Sequence, residues 1–202
     1  MLPVDGRFIL KVAPRFSGAR ARQQERIVSA ISGSLARLLE EAAIDTPLRV
    51  AHFMAQATHE SAGFRTTEEF ADGSAYEGRK DLGNVLQGDG PRFKGRGLLQ
   101  LTGRNNYRAV GRALGLPLED EPEIAADPVT SLRIACYFWR CHRINVPADK
   151  DDLAAVTRIV NGGLNGLAER RLYLERAKAA LARLHGDPVT AGRRNTPEET
   201  SP

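Results

Sequence analysis

The sequence predicts a mainly α-helical protein, and three observations carry that expectation. Apolar residues recur at three- and four-residue intervals over most of the chain. Thr-Pro and Asp-Pro pairs stand where helices would begin. The 202 residues are 42% hydrophobic and 27% charged, a globular composition long enough for one real core. In chain order, Ile27, Val28, Ile31, Leu35, Leu38, Leu39 and Ala42 form one stripe and predict a helix over 27–42. Thr46 is an N-cap with Pro47 in the first turn; the helix it starts carries Val50, Phe53, Met54 and Ala57 and stops near Gly63. From 72 to 97 the chain is rich in glycine and charge and shows no sustained apolar period, so a long ordered loop or short strands are expected. Asp127-Pro128 repeats the helix start, followed by Val129, Leu132, Ala135, Cys136 and Trp139. A further helix runs from about Asp151 to Val160 and ends at Asn161-Gly162-Gly163. The last carries Leu167, Leu174, Ala177, Leu181 and Leu184. The tail from Gly186, without aromatics and with few apolar residues, is expected to be disordered, leaving one domain over 1–185. The first 25 residues leave open whether a helix packs there.

Composition excludes more than it names. No apolar run approaches the ~20 residues of a membrane span. The start, MLPVDGRFILKVAPRF, lacks the apolar core and small-residue cleavage site of a secretory signal. Two cysteines cannot build a disulfide framework. Lys plus Arg is 29 against 25 for Asp plus Glu, a formal +4, which suits an anionic partner without choosing one. His59-Glu60 opens like a zinc-hydrolase motif, but Gly63 stands where the second histidine belongs, so neither a metal nor a cofactor is expected. Gly90 to Gly95 has phosphate-loop spacing but is followed by Arg96, not Lys, so nucleotide binding is not expected. No G-x-S-x-G elbow occurs. Cys141-His142 ends an apolar helix and reads as a buried structural cysteine. The run Arg104-Asn105-Asn106-Tyr107-Arg108 mixes base and aromatic as nucleic-acid binders do. It reads as a solvated helix start with one packed tyrosine, because acidic residues break up any basic stripe.

Glu60 is the carboxylate out of place. It follows Ala57 by three and Phe53 by seven and so points with the apolar stripe, while His52, Gln56 and His59 share a neighbouring polar face. Carboxylates are rarely buried without a partner. Burial favours the protonated form, as a general acid needs; a salt bridge to Arg96 or Arg104 is the other reading. Glu68, Glu69 and Glu77 supply candidates for a second carboxylate, and the chain between them and Glu60 can span the separation of a glycosidase acid–base pair.

Four motifs in order then resemble glycoside hydrolase family 19: His59-Glu60-Ser61-Ala62-Gly63-Phe64; Lys94-Gly95-Arg96-Gly97-Leu98-Leu99-Gln100-Leu101-Thr102-Gly103; Asn105-Asn106-Tyr107; and Ile159-Val160-Asn161-Gly162-Gly163. The likeness runs from about residue 25 to 184 and is strongest to the endolysin branch of phages and prophages. It implies a lysozyme-like, two-lobed helical fold with a substrate cleft and an inverting mechanism. Glu60 matches the general acid and Glu69 the general base, with Glu68 its rival; Thr102 matches the hydroxyl that positions water. Gln100, Asn106 and Asn161 match substrate-binding amides. Arg96 and one of Arg170 or Arg171 match cations beside the acids, and Tyr76 and Tyr107 are expected to line the sugar sites. The disulfides and signal of the plant enzymes are missing, and the Glu68–Gly73 stretch replaces a longer insertion.

The resemblance implies an enzyme hydrolysing β-1,4 bonds between amino sugars of peptidoglycan, or alternatively of chitin, with no nucleic-acid partner and no stable membrane insertion. A monomer is expected, made in the cytoplasm and acting on the wall after release. From another class, a wall-binding module without activity would bind sacculi and release nothing.

Overall fold

Thr46 and Asp127 cap helices as the sequence predicts: the Thr46 hydroxyl accepts from the Arg49 N–H at 3.3 Å and the Asp127 carboxylate from the Thr130 N–H at 2.9 Å. Each satisfies a donor that a helix's first turn cannot. In the computed structural model, which describes residues 2–186, these caps open α4 (Pro47–Glu60) and α7 (Pro128–Cys141). Before them come α1 (Gly6–Val12), α2 (Gly18–Ser32) and α3 (Leu35–Glu41). Between them lie α5 (Asp89–Arg92) and α6 (Arg104–Leu114). After them follow α8 (Asn145–Asp149), α9 (Leu153–Asn161) and α10 (Leu167–Gly186).

Every residue of α4 from Val50 to Thr58 is buried, so this helix runs through the interior rather than along the surface. It packs on α10 more extensively than on any other element, and α1, α2, α3, α7 and α9 complete the large core. Trp139 is fully buried there, edge-on to Phe53 at 5.4 Å, with its indole N–H given to Asn145. A second, smaller core holds Phe93, Tyr107, Leu118, Ala125 and Ile134. Helix α7 serves both: Ile134 faces the small core, while Leu132, Ala135 and Trp139 face the large one.

Three expectations change and one open question is answered. The stripe over 27–42 is two helices, broken at Gly33-Ser34; the apolar residues on either side still enter one core, so the pattern conceals the break. The first 25 residues are helical in α1 and the start of α2, with the Asp5 carboxylate accepting from the Arg7 and Phe8 N–H groups. Cys141 is exposed; the buried cysteine is Cys136, which sits one helical turn deeper, and burial pushes its thiol far up. Residues 72–97 form the expected ordered loop, with single 3-10 turns at Ser74–Tyr76 and Lys80–Leu82 and the short α5. Gly186, placed in the tail by sequence, ends α10; the remainder of the expected tail lies outside the described residues. No helix among the described residues is long and apolar enough to cross a membrane.

Candidate active site

Glu60 is the last residue of α4, where the helix meets the first part of α10. Its carboxylate does not pair with Arg96 or Arg104. It receives an N–H from Arg170 at 2.5 Å; the guanidinium is fully buried, while the Glu60 side chain keeps 17% of its surface exposed. Arg170 also donates to Gln56 Oε1 at 2.5 Å and to the Asn165 carbonyl at 3.1 Å, and Gln56 in turn donates to Thr157 at 3.2 Å. Between Arg170 and Arg171 the structure therefore selects Arg170, and the polar face of α4 turns inward to hold it. Beside Glu60, His59 Nδ1 lies 2.6 Å from Glu169. Gly166 (φ +71°) makes room for that imidazole, because a Cβ there would lie 2.2 Å from the ring.

Glu69 is held separately, by backbone bonds among the short pieces around 67–69, 95–97 and 100–102. The Glu69 N–H donates to the Gly95 carbonyl (3.0 Å), and the Gly97 N–H to Thr67 (2.6 Å). Arg96 and Leu101 exchange backbone bonds at 3.0 and 2.7 Å. These place the Glu69 carboxylate where one oxygen accepts from the Gly95 N–H at 2.7 Å and the other from the Tyr76 hydroxyl at 3.0 Å. A Cβ on Gly95 would lie 2.6 Å from Gln100 Oε1 and 3.3 Å from both the Glu69 carboxyl carbon and Thr102 Oγ1. The three side chains converge on the space that glycine leaves. Gln100 takes φ +54°, a conformation non-glycine residues adopt at a cost, and its carbonyl accepts the Thr102 hydroxyl at 2.9 Å.

Glu68 is arranged differently. Its carboxylate sits 3.2 Å from Lys94 Nζ and 3.3 Å from Arg96 Nε, away from the Gly95 space. Glu77 accepts from the Gly88 and Gly90 N–H groups at 2.7 Å each and anchors the 72–97 loop. Gln100, Thr102 and Asn106 line one side of a pocket of about 300 Å³ whose other walls include Leu82, Leu99 and Phe138. Asn161 closes α9 before the left-handed Gly162, and its Oδ1 has no partner among the described residues. Two expected site residues are relocated. Tyr107 is fully buried against Phe93, its hydroxyl given to the Lys94 carbonyl at 2.7 Å, and burial pushes its phenol up to about 12. Arg96 is 8% exposed and turns inward, donating to the Arg92 carbonyl at 2.8 Å and to Tyr107 at 3.2 Å, so it braces the loop. Tyr76 faces Glu69 instead of open space, and burial followed by that hydrogen bond raises its phenol.

The Gln56–Arg170 contact and the Gly95 donor escaped sequence reasoning. The first joins residues 114 apart in the chain; the second is a backbone group, which no residue type announces. No group of three or more His, Cys, Asp or Glu among the described residues could hold a metal ion.

A family model described as chitinase class I, glycoside hydrolase family 19, matches residues 40–157. A glycosyl hydrolase family 19 domain-containing protein of Haemophilus influenzae is 31% identical over 178 residues, covering 72% of this chain and 87% of that protein. Chitinase 8 of Oryza sativa subsp. japonica is 31% identical over 137 residues, and the chain spans about half (51%) of its length. Among solved structures, chitinase C from Streptomyces griseus aligns with a TM-score of 0.63 at 20% identity, over 90% of this chain and 93% of that one. The class IV chitinase of Zea mays aligns at 0.62 and 22% identity, over 91% and 93%. At these identities the structural matches speak to the fold, which is the mainly helical, lysozyme-like one.

Proposed function

The chain belongs to glycoside hydrolase family 19, and we propose that it is a cell-wall glycosidase that hydrolyses β-1,4 bonds between amino sugars of peptidoglycan with inversion. One observation carries the reading of the chemistry: two carboxylates are held in two different ways, Glu60 on a buried guanidinium and Glu69 on a backbone N–H and a phenol. Glu60 would protonate the leaving glycosidic oxygen. Glu69 would take a proton from a water that attacks the anomeric carbon from the opposite face, giving inversion. Thr102 suits the task of holding that water. Its own proton is committed to the Gln100 carbonyl, so its lone pairs are left to accept from the water. The Asn161 and Asn106 amides would bind the sugar's polar groups.

The 70–72 stretch, directly after the base, favours a peptide-bearing substrate. Phe70 (81% exposed), Ala71 and Asp72 all stand in solvent, so nothing walls off the lactyl-peptide substituent of muramic acid there. Chitin is the second reading, favoured by those relatives and structural neighbours that are named chitinases. Parallel digests of purified peptidoglycan and chitin, reduced with borohydride and examined by mass spectrometry, decide. Muropeptides with a reduced muramic-acid or glucosamine end support the wall reading and name the bond. Chitin oligomers with little from peptidoglycan move the assignment to chitin. No fragments from either substrate would sink the assignment of a catalytic role.

A further inference from the structure

Away from the two carboxylates, α1 and α10 enclose an open groove of about 600 Å³. Four cations line it, Lys11 and Arg15 on one wall and Arg176 and Arg183 on the other, with no acidic residue among the lining groups. The floor is small and apolar: Ala13 and Ala180 are buried beneath it, and Leu10 stands half-exposed on its edge. None of the four cations meets a carboxylate among the described residues, and the one bond among them is from Arg176 to the Val12 carbonyl at 3.4 Å. Like charges facing one another across a groove repel, and an anion entering between them would lower that repulsion, the more so at low salt. The charge is also placed rather than spread. Residues 1–26 contain six basic residues against two acidic ones, an excess equal to the formal +4 of the whole chain. Both walls lie outside residues 40–157, the span that carries the hydrolase family's pattern.

The groove adjoins the acid's end of the site. One face of α10 carries Glu169 beside His59, then Tyr173, whose hydroxyl donates to Glu169 at 2.7 Å, then Arg176 at 6.0 Å over the Tyr173 ring. At 1.5 Å rise per residue, Arg170 and Arg183 stand roughly 20 Å apart along the helix. We propose that this groove is a second binding site, for a linear anionic polymer whose charges are phosphodiesters linked by polyols. Guanidinium groups match phosphate oxygens in a fork that an ammonium cannot reproduce, and three of the four cations are arginines. A groove with a floor of alanines admits a strand. The lining has no aromatic on which bases could stack, which disfavours single-stranded nucleic acid. A flat bilayer surface would not reach that floor. A polymer lying there would be led along α10 toward Glu60, so a glycan carrying such chains would be held at the enzyme.

The inference goes beyond the proposed activity, and its test needs no hydrolysis. Fluorescently labelled poly(glycerol phosphate) is titrated with the full chain by anisotropy between 25 and 200 mM salt. Saturable binding is expected, weakening with salt at a log–log slope approaching −3, at about −0.7 per phosphate contact. The variant Lys11→Gln/Arg15→Gln/Arg183→Gln, which leaves Arg176 and its bond to Val12 in place, should bind at least tenfold more weakly. Its melting temperature and its turnover of a soluble oligosaccharide should be unchanged. Absence of saturable binding by the native chain overturns the proposal, as does unaltered affinity in a folded variant. Tighter binding, per phosphate, to oligo(dT) or to phosphatidylglycerol vesicles would also overturn it, in favour of nucleic acid or membrane.

Discussion

Glu60 and Arg170 cannot be considered separately, because the guanidinium is fully buried and the carboxylate is its only opposite charge among the described residues. Replacing Glu60 with Gln removes the group that carries the proton and, in its ionised form, the countercharge to Arg170. We expect turnover to fall by about 10²–10⁴, the usual worth of a general acid. Stability should fall as well, by about 1–3 kcal/mol, as a buried polar partner is left imperfectly satisfied. Urea unfolding of the variant reads the second effect, and unchanged stability would mean that Arg170 finds another partner. The rival bases separate in the same way. Glu69 accepts from Gly95 and Tyr76 beside Thr102, whereas Glu68 is tied to Lys94 and Arg96. Glu69→Gln should therefore lose about 10²–10⁴ in turnover, and Glu68→Gln, an exposed ion-pair change, should stay within a few-fold. The reverse ranking would exchange their roles. Tyr76→Phe keeps the ring and deletes the donor to Glu69. A fall in kcat of about tenfold, the worth of one hydrogen bond of about 1.4 kcal/mol, with KM little changed, would identify it as a positioning residue.

Among the elements, the pieces around Gly95 are where an added side chain would enter the space beside Glu69 and Thr102. Gly95→Ala would put a methyl group 2.6 Å from Gln100 Oε1 and into the space shared by Glu69 and Thr102. It should remove most activity with a small change in melting temperature, since Gly95 belongs to neither hydrophobic core; an active variant would show that the space is not where water sits. These elements also mark how much the sequence revealed. The helices α4, α7, α9 and the last helix were legible because apolar periodicity and caps such as Thr46 and Asp127 are local signals. So was Glu60 as a carboxylate on the wrong face. The break at Gly33 was not legible, because a turn that preserves the phase of the stripe leaves no mark on the pattern. Tyr107 was open to two readings, a packed tyrosine or a sugar-site residue, and the packed one holds; the inward turn of Arg96 was not legible, because its carbonyl and phenol partners come from tertiary contacts. Which arginine met Glu60 depended on the packing of α10 against α4, and no spacing within either helix encodes that.

Over the whole molecule, the two cores carry different titrating groups, and acid should therefore weaken them in sequence. In the large core His52 is fully buried, 2.8 Å from Asp151, which also meets Lys178 at 2.7 Å. Burial lowers the His52 imidazole from 6.5, and the Asp151 bond opposes this only in part. The unfolded chain takes up this proton first. Stability that is full above about pH 6.5 should then decline as pH falls toward the lowered folded value. In the small lobe, Arg108 and Arg104 hold the Glu119 carboxyl down at about 2, and Arg104 holds Asp89 below its ordinary 3.8. Their contribution is complete above the unfolded carboxylate range and is lost as pH falls from about 4.5 toward 2. Urea unfolding measured from pH 8 to pH 2 should show two declines. Glu119→Gln should lessen the lower one, to which Asp89, Asp149 and Asp151 also contribute, and leave the upper, which belongs to His52. Helix α7 contributes to both cores, so circular dichroism reads their sum; tryptophan fluorescence follows the large core, where Trp139 lies. A constant stability between pH 7 and pH 5 would show that His52 finds, in the charged form, a partner as good as the one it has when neutral.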